Sequence, residues 1–176
     1  MVNLIELQNK IHAQNKELGW WDEERPFSTF VCLFHSELSE AMEGDRKGLM
    51  DDHLPEYEMF WVELADFVIR VLDYSGFVGY EDYMDLYDVI IAREKDRLFA
   101  LGAMHGCVTE SRNEELLGNG NDTYMYFLMQ GVFVAIKLAE ISSVDLHKII
   151  LEKVEYNKHR ADHKRENRAK DGGKKY

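Results

Sequence analysis

Apolar residues recur along this chain at helical spacing. Leu4, Leu7, Ile11 and Leu18 mark one face of a helix over residues 3–18. Gly19 ends it, and Trp20, Trp21 and Asp22 open a loop running past Pro26. Ser28 or Thr29 then caps a second helix, with Phe30, Leu33, Phe34, Leu38 and Ala41 as its apolar stripe and Gly44 and Gly48 loosening its end. Residues 49–55, with Pro55, read as a loop. From Glu56 to Tyr74 the pattern is apolar almost all round (Phe60, Trp61, Leu64, Ala65, Phe67, Val68, Val71, Leu72), which predicts a central helix stopped by Gly76 and Gly79. A further helix is predicted over 82–99. The expected fold class is all-α, a helical bundle.

The pattern then restarts. Residues 34–48 align with 104–118, residues 63–73 with 130–140, and residues 85–97 with 145–157. Three segments in the same order predict two degenerate helical repeats behind an N-terminal helix, within a single domain over 1–176.

Composition changes this picture little. Hydrophobic residues make up 45% and aromatic residues 12% of 176, enough for a packed core. The N-terminus is polar and periodic, and no apolar run is read as reaching the ~20 residues of a membrane span, so a cytoplasmic protein without a membrane partner is expected. Cys32 and Cys107 lie in apolar patterns and are expected to be reduced core thiols. Charge is more informative. From Lys153 onward there are nine basic and four acidic residues, whereas the rest carries twelve basic and twenty-nine acidic. An acidic body repels a nucleic-acid backbone, which argues against bulk DNA or RNA as partner. The basic end is either a solubilising tail or a clamp for a phosphorylated ligand.

The acids carry the chemistry. Glu37 and Glu40 lie three apart, as do Glu63 and Asp66, so each pair shares a helix face. On antiparallel helices, four carboxylates converge and need a cation to relieve their repulsion. An all-oxygen set suits a hard ion, Mg²⁺ or Mn²⁺. The alternative, a solvated acidic stripe, fits Glu63 and Asp66 poorly because they sit in the most apolar helix. The second repeat has Cys107, Glu110, Gln130 and Phe133 at the equivalent positions, so helix packing does not require the acids. Glu-x-x-His pairs of di-iron bundles are absent.

Glu37-Leu-Ser-Glu40 followed by Glu63-Leu-Ala-Asp66, with twenty-two residues between, resembles the metal motif of the MazG-like all-α nucleotide pyrophosphohydrolases. The segment from Lys153 through Asn157 to Arg160, and Gly172, Gly173, Lys174 and Lys175 beyond it, resemble that family's closing segment. Where many members carry one more Glu before the first motif, this chain has Ser36. The resemblance implies metal-dependent hydrolysis of a nucleoside triphosphate to its monophosphate and pyrophosphate. Glu37, Glu40, Glu63 and Asp66 would hold Mg²⁺ (Mn²⁺ or Co²⁺ as alternatives), and Glu37 or Glu40 would serve as general base. Lys153, Asn157 and Arg160, on one helix face, would meet the polyphosphate, with Lys174 or Lys175 closing over it and Gly172–Gly173 allowing backbone approach. The base would lie among His12, Asn15, Trp20, Trp21 and Phe27. The phage MazZ group suggests a purine deoxynucleotide such as dGTP, and related enzymes suggest dUTP instead. Homodimers or homotetramers are usual in the family. A non-catalytic helical interaction module is the competing reading. His159 and His163 are expected to be solvated, and His35 and His105 to serve packing.

Overall fold

The computed structural model describes residues 3–82 and 96–173, and among these the chain is all-helical, with one isolated antiparallel bridge between Met50 and Glu58. The elements are α1 (Leu4–Glu17), α2 (Phe27–Lys47), α3 (Met59–Val78), α4 (Arg97–Leu116), α5 (Asn121–Ser142) and α6 (Leu146–His159). A 3-10 turn (Ala161–His163) and the short α7 (Arg165–Arg168) follow.

Helix α3 is the axis of the bundle. It packs against α1, α2, α5 and α6, and thirteen of its twenty residues are buried, which is why its sequence is apolar on nearly every face. Helices α2 and α3 form one packed pair, α4 and α5 a second, and α2 also meets α4. Phe34, Leu38 and Ala41 of α2 are fully buried with Phe60, Leu64 and Phe67 of α3.

Several local expectations are corrected. Helix α2 begins at Phe27, behind Pro26, without a side-chain cap, so Ser28 and Thr29 lie inside its first turn. Gly44 does not loosen α2. It is a contact point, where an added Cβ would lie 2.9 Å from Cβ of Met59. The helix ends instead at Gly48, whose φ of 63° needs glycine's freedom. Gly76 likewise lies within α3, with His12 of α1 against it, and Gly79 closes the helix. The helix expected over 82–99 falls mainly on residues outside those described. Residues 97–99 open α4, which Asp96 caps by accepting from Phe99 N at 3.0 Å.

The cysteines are not core thiols. Cys32 is exposed, because Val31 and Phe34 take the inward positions of that turn, and Cys107 is half-buried. Helix α5 is, by length and composition alone, long and apolar enough to cross a membrane, against the expectation that no such run exists. Half of it is buried against the rest of the bundle, as in a core helix.

The 49–58 connection is ordered by its own backbone. Met59 N donates to Leu49 O (2.9 Å) and Asp51 N to Tyr57 O (3.0 Å). The buried Asp51 carboxylate accepts from His53 N (2.9 Å) and Leu54 N (2.8 Å). Arg97 pins the start of α4 to this junction through Asp45 (2.8 Å) and Glu58 (2.7 Å), with its guanidinium 4.6 Å from the centre of the Phe60 ring.

Candidate functional site

Helices α2 and α3 bring three of the four expected carboxylates together. Ligand oxygens of Glu37, Glu63 and Asp66 all lie within 4.8 Å of one another. Glu37 and Glu63 are buried and Asp66 is partly so. Burial pushes the Glu63 carboxyl up to about 9, reinforced by Asp66 and Glu37 and only partly opposed by Lys153. Burial also raises Glu37, against the pull of Arg70. Glu40 does not join the cluster. It is exposed at the rim, its carboxylate accepting from Ser36 Oγ at 2.8 Å, yet near enough for its charge to raise both Glu37 and Glu63.

Two cations balance the cluster from within the fold. Arg70, one turn beyond Asp66 on α3, donates to Glu37. Lys153 of α6 is buried, with Nζ 3.0 Å from Asp66. Burial alone would lower the Lys153 pKa, but Asp66, Asp51 and Glu63 together hold it above its usual value. Lys153 was expected to meet a ligand's phosphates. It is instead an internal countercharge, because α6 packs on α3 and its inward face carries Lys153 between Ile150 and Val154.

Next to the acids opens a cleft of about 770 Å³, its solvent-open mouth included. Asp66, Arg70 and Asp73 of α3 line it, with Leu33 and Phe34 of α2, Asn15 of α1, Trp20 and Arg25 of the following loop, and Asn157, Arg160 and His163 from the C-terminal side. Asn157 Oδ1 and Arg25 Nε are buried and meet no hydrogen-bond partner among the described residues. Arg160 reaches the cleft while held in a two-point pair with Asp162 (2.9 and 2.7 Å).

Trp20 forms part of the wall, with the Arg168 guanidinium 3.7 Å from its ring centre and the His163 ring edge-on at 5.1 Å. Trp21 lies behind the wall, stacked between Phe30 (5.3 Å) and Phe77 (4.3 Å). Phe27 is corrected to a core residue, buried against Tyr74 and Tyr124. His163 is not simply solvated, whereas His159 is exposed and paired with Glu155 at 2.9 Å. Gly173 makes its close approach to the chain itself, an added Cβ there lying 2.3 Å from Arg168 O. Lys174 and Lys175 lie outside the described residues.

No family model matches this chain, and no curated protein or solved structure is significantly similar to it.

Sequence reasoning did not single out Arg25, Arg70 or Asp73. A signal existed for two of them. Asp66, Arg70 and Asp73 follow at i, i+4 and i+7, so three charges share one face of the most apolar helix. Arg25 sits in a loop whose path only the fold determines. The donor set fits a hard divalent cation, since three oxygens converge and one carboxyl is strained toward neutrality.

Proposed function

We propose that this chain is a metal-dependent nucleoside triphosphate pyrophosphohydrolase of MazG-like type. It would release pyrophosphate and a monophosphate, with a purine deoxynucleotide such as dGTP as substrate. The observation that carries the reading is adjacency: the acidic cluster reaches, through Asp66, a cleft lined by Arg70, Asn157 and Arg160, with aromatic surface beyond. An acid site neighboured by cations and an aromatic wall suits a metal-bound polyphosphate joined to a base.

A purely structural ion network accounts for Glu37 with Arg70 and for Asp66 with Lys153. It does not account for Glu63, a third acid buried beside these pairs, whose ionisation is suppressed. When bound, Mg²⁺ (or Mn²⁺ or Co²⁺) would polarise phosphate oxygens and acidify a coordinated water. Glu37, Glu63 and Asp66 would hold it. Lys153, 3.0 Å from Asp66, would hold that carboxylate in place. Arg70 and Arg160 face the phosphates and offset the charge that gathers on them as the bond breaks. Glu40, the acid open to solvent at the rim of the cluster, would take the proton of the attacking water as the bond from the α-phosphorus to the bridging oxygen breaks.

The fold is read in the same way, with α2–α3 and α4–α5 as degenerate repeats. His35 and His105, seventy residues apart, stack on each other at 5.1 Å, as equivalent residues do across a two-fold.

The test is pyrophosphate release from a nucleotide panel with Mg²⁺, Mn²⁺ and Co²⁺. Asp66→Asn should lower kcat by at least about 100-fold, the scale of losing an electrostatic contact to the reacting group. Unchanged metal-dependent release in both Asp66→Asn and Glu63→Gln would sink the proposal.

A further inference from the structure

Helix α3 carries its third carboxylate, Asp73, seven residues beyond Asp66, or about 10 Å along the same face. Three donors converge on this carboxylate. His12 Nδ1 and Trp21 Nε1 meet Oδ1 at 2.8 and 2.9 Å, and Asn15 Nδ2 meets Oδ2 at 2.8 Å. A carboxylate offers about four acceptor positions. Two are taken on Oδ1 and one on Oδ2, so Oδ2 keeps capacity for another donor. Asp73 lines the cleft, as does Arg25. The Arg25 guanidinium rests over Phe30 (5.3 Å) and Trp21 (5.6 Å), donates through Nη2 to Trp20 O, and leaves its buried Nε without an acceptor among the described residues. The charge of Asp73 is felt at Arg25. An unmet donor thus stands near an acceptor with spare capacity, beside the indole of Trp20. A carboxylate serving only to tie α1 to α3 would not require that arrangement at a cleft.

We infer that Asp73 and Arg25 read the edge of a guanine base, with Arg25 donating to O6 and the remaining acceptor position of Asp73 Oδ2 shared between the adjacent N1–H and 2-amino group, which makes Asp73 the specificity-determining residue. This rests on the nucleotide reading above. Its separation from Asp66 is one that a nucleoside 5′-phosphate can bridge. Guanine alone among the common bases presents one acceptor beside two adjacent donors. Uracil and thymine turn a carbonyl oxygen toward the carboxylate, and adenine lacks the N1 hydrogen. In either case a buried polar group loses its partner, and such sites discriminate steeply.

The experiment compares kcat/KM for dGTP, dITP, dXTP, dATP, dCTP and dUTP in the native chain and in Asp73→Asn. The native protein should prefer dGTP over dUTP and dATP by at least about 100-fold, and over dITP, which lacks the 2-amino group, by about 10-fold. Asp73→Asn presents an amide N–H, so the ratio of dXTP to dGTP should rise by at least about 10-fold, since xanthine carries a carbonyl where guanine carries the amine. A general structural loss would lower all substrates together and leave that ratio unmoved, which overturns the inference. If melting shows that Asp73→Asn does not fold, the native dGTP to dITP ratio decides, and equal rates overturn it. Hydrolysis that favours dUTP refutes guanine reading while sparing the hydrolase. Absence of pyrophosphate from every nucleotide removes both.

Discussion

Glu63 is the residue whose energetics depend most on solution conditions. Its carboxyl lies near 9 in the fold against an ordinary 4.5, first because of burial and then because of Asp66 and Glu37. The folded state therefore keeps a proton that the unfolded state has already lost. Stability from this group is complete below pH 4.5 and declines as pH rises through 9. Between pH 7 and 9 the measurement stands above the range in which His35 and His105, both held low by burial, exchange protons. Thermal melting of metal-free protein should fall across that window. Mn²⁺ should restore it most at the alkaline end, since a bound cation favours the ionised cluster. Glu63→Gln should flatten the fall. An equal slope in the Gln variant would mean that another group governs it. The same residue shows how far sequence reaches. That Glu63 is costly was legible from Trp61, Leu64 and Phe67 around it, but that Glu40 stays at the rim, bonded to Ser36, was not.

Among the elements, the α2–α3 pair sets the carboxylate cluster, and Gly44 sets how closely that pair approaches. Gly44→Ala would place a methyl 2.9 Å from Cβ of Met59 and 3.0 Å from Phe60 N, neither of which can swing aside. Alanine gains about 1 kcal/mol of helix propensity over glycine, but overpacking at a helix crossing costs about 1–3 kcal/mol. The expected outcome is a melting temperature lower by several degrees, about 2–4 °C for each kcal/mol in a chain of this size. A higher melting temperature would show that the helices part without loss. Periodicity located α2 and α3 well, yet it took Gly44 and Gly76 for breaks. In sequence a glycine at a crossing and a glycine at a helix end look alike; the partner at the crossing, Met59 or His12, lies far along the chain.

At the scale of the whole molecule, a C-terminal strap braces Trp20, part of the cleft wall. Arg165 pairs with Asp22 at 2.8 Å, and Arg168 covers Trp20 and reaches Leu18 O at 3.4 Å. Neither the 3-10 turn nor α7 contains a buried residue, so the strap backs Trp20 and adds little core. Truncation after His163 should leave the melting temperature within about 2 °C, as expected where no buried residue is lost. It should raise KM for the preferred nucleotide about 10-fold, equivalent to roughly 1.4 kcal/mol of lost binding. An unchanged KM would assign the strap to solubility, the plainer reading of a basic tail.

What the sequence determined by itself is local: helix class, the apolar α3, and pairs of acids three residues apart, all of which follow from a period of 3.6 and the cost of burying charge. What only tertiary structure decided is which side chains meet. Lys153 turned inward because α6 packs on α3, Glu40 stayed outside the cluster, and Arg70 entered it. Asp73 gathered His12, Asn15 and Trp21 from more than fifty residues away. Such encounters depend on helix rotation and crossing, which the pattern of a single helix does not encode.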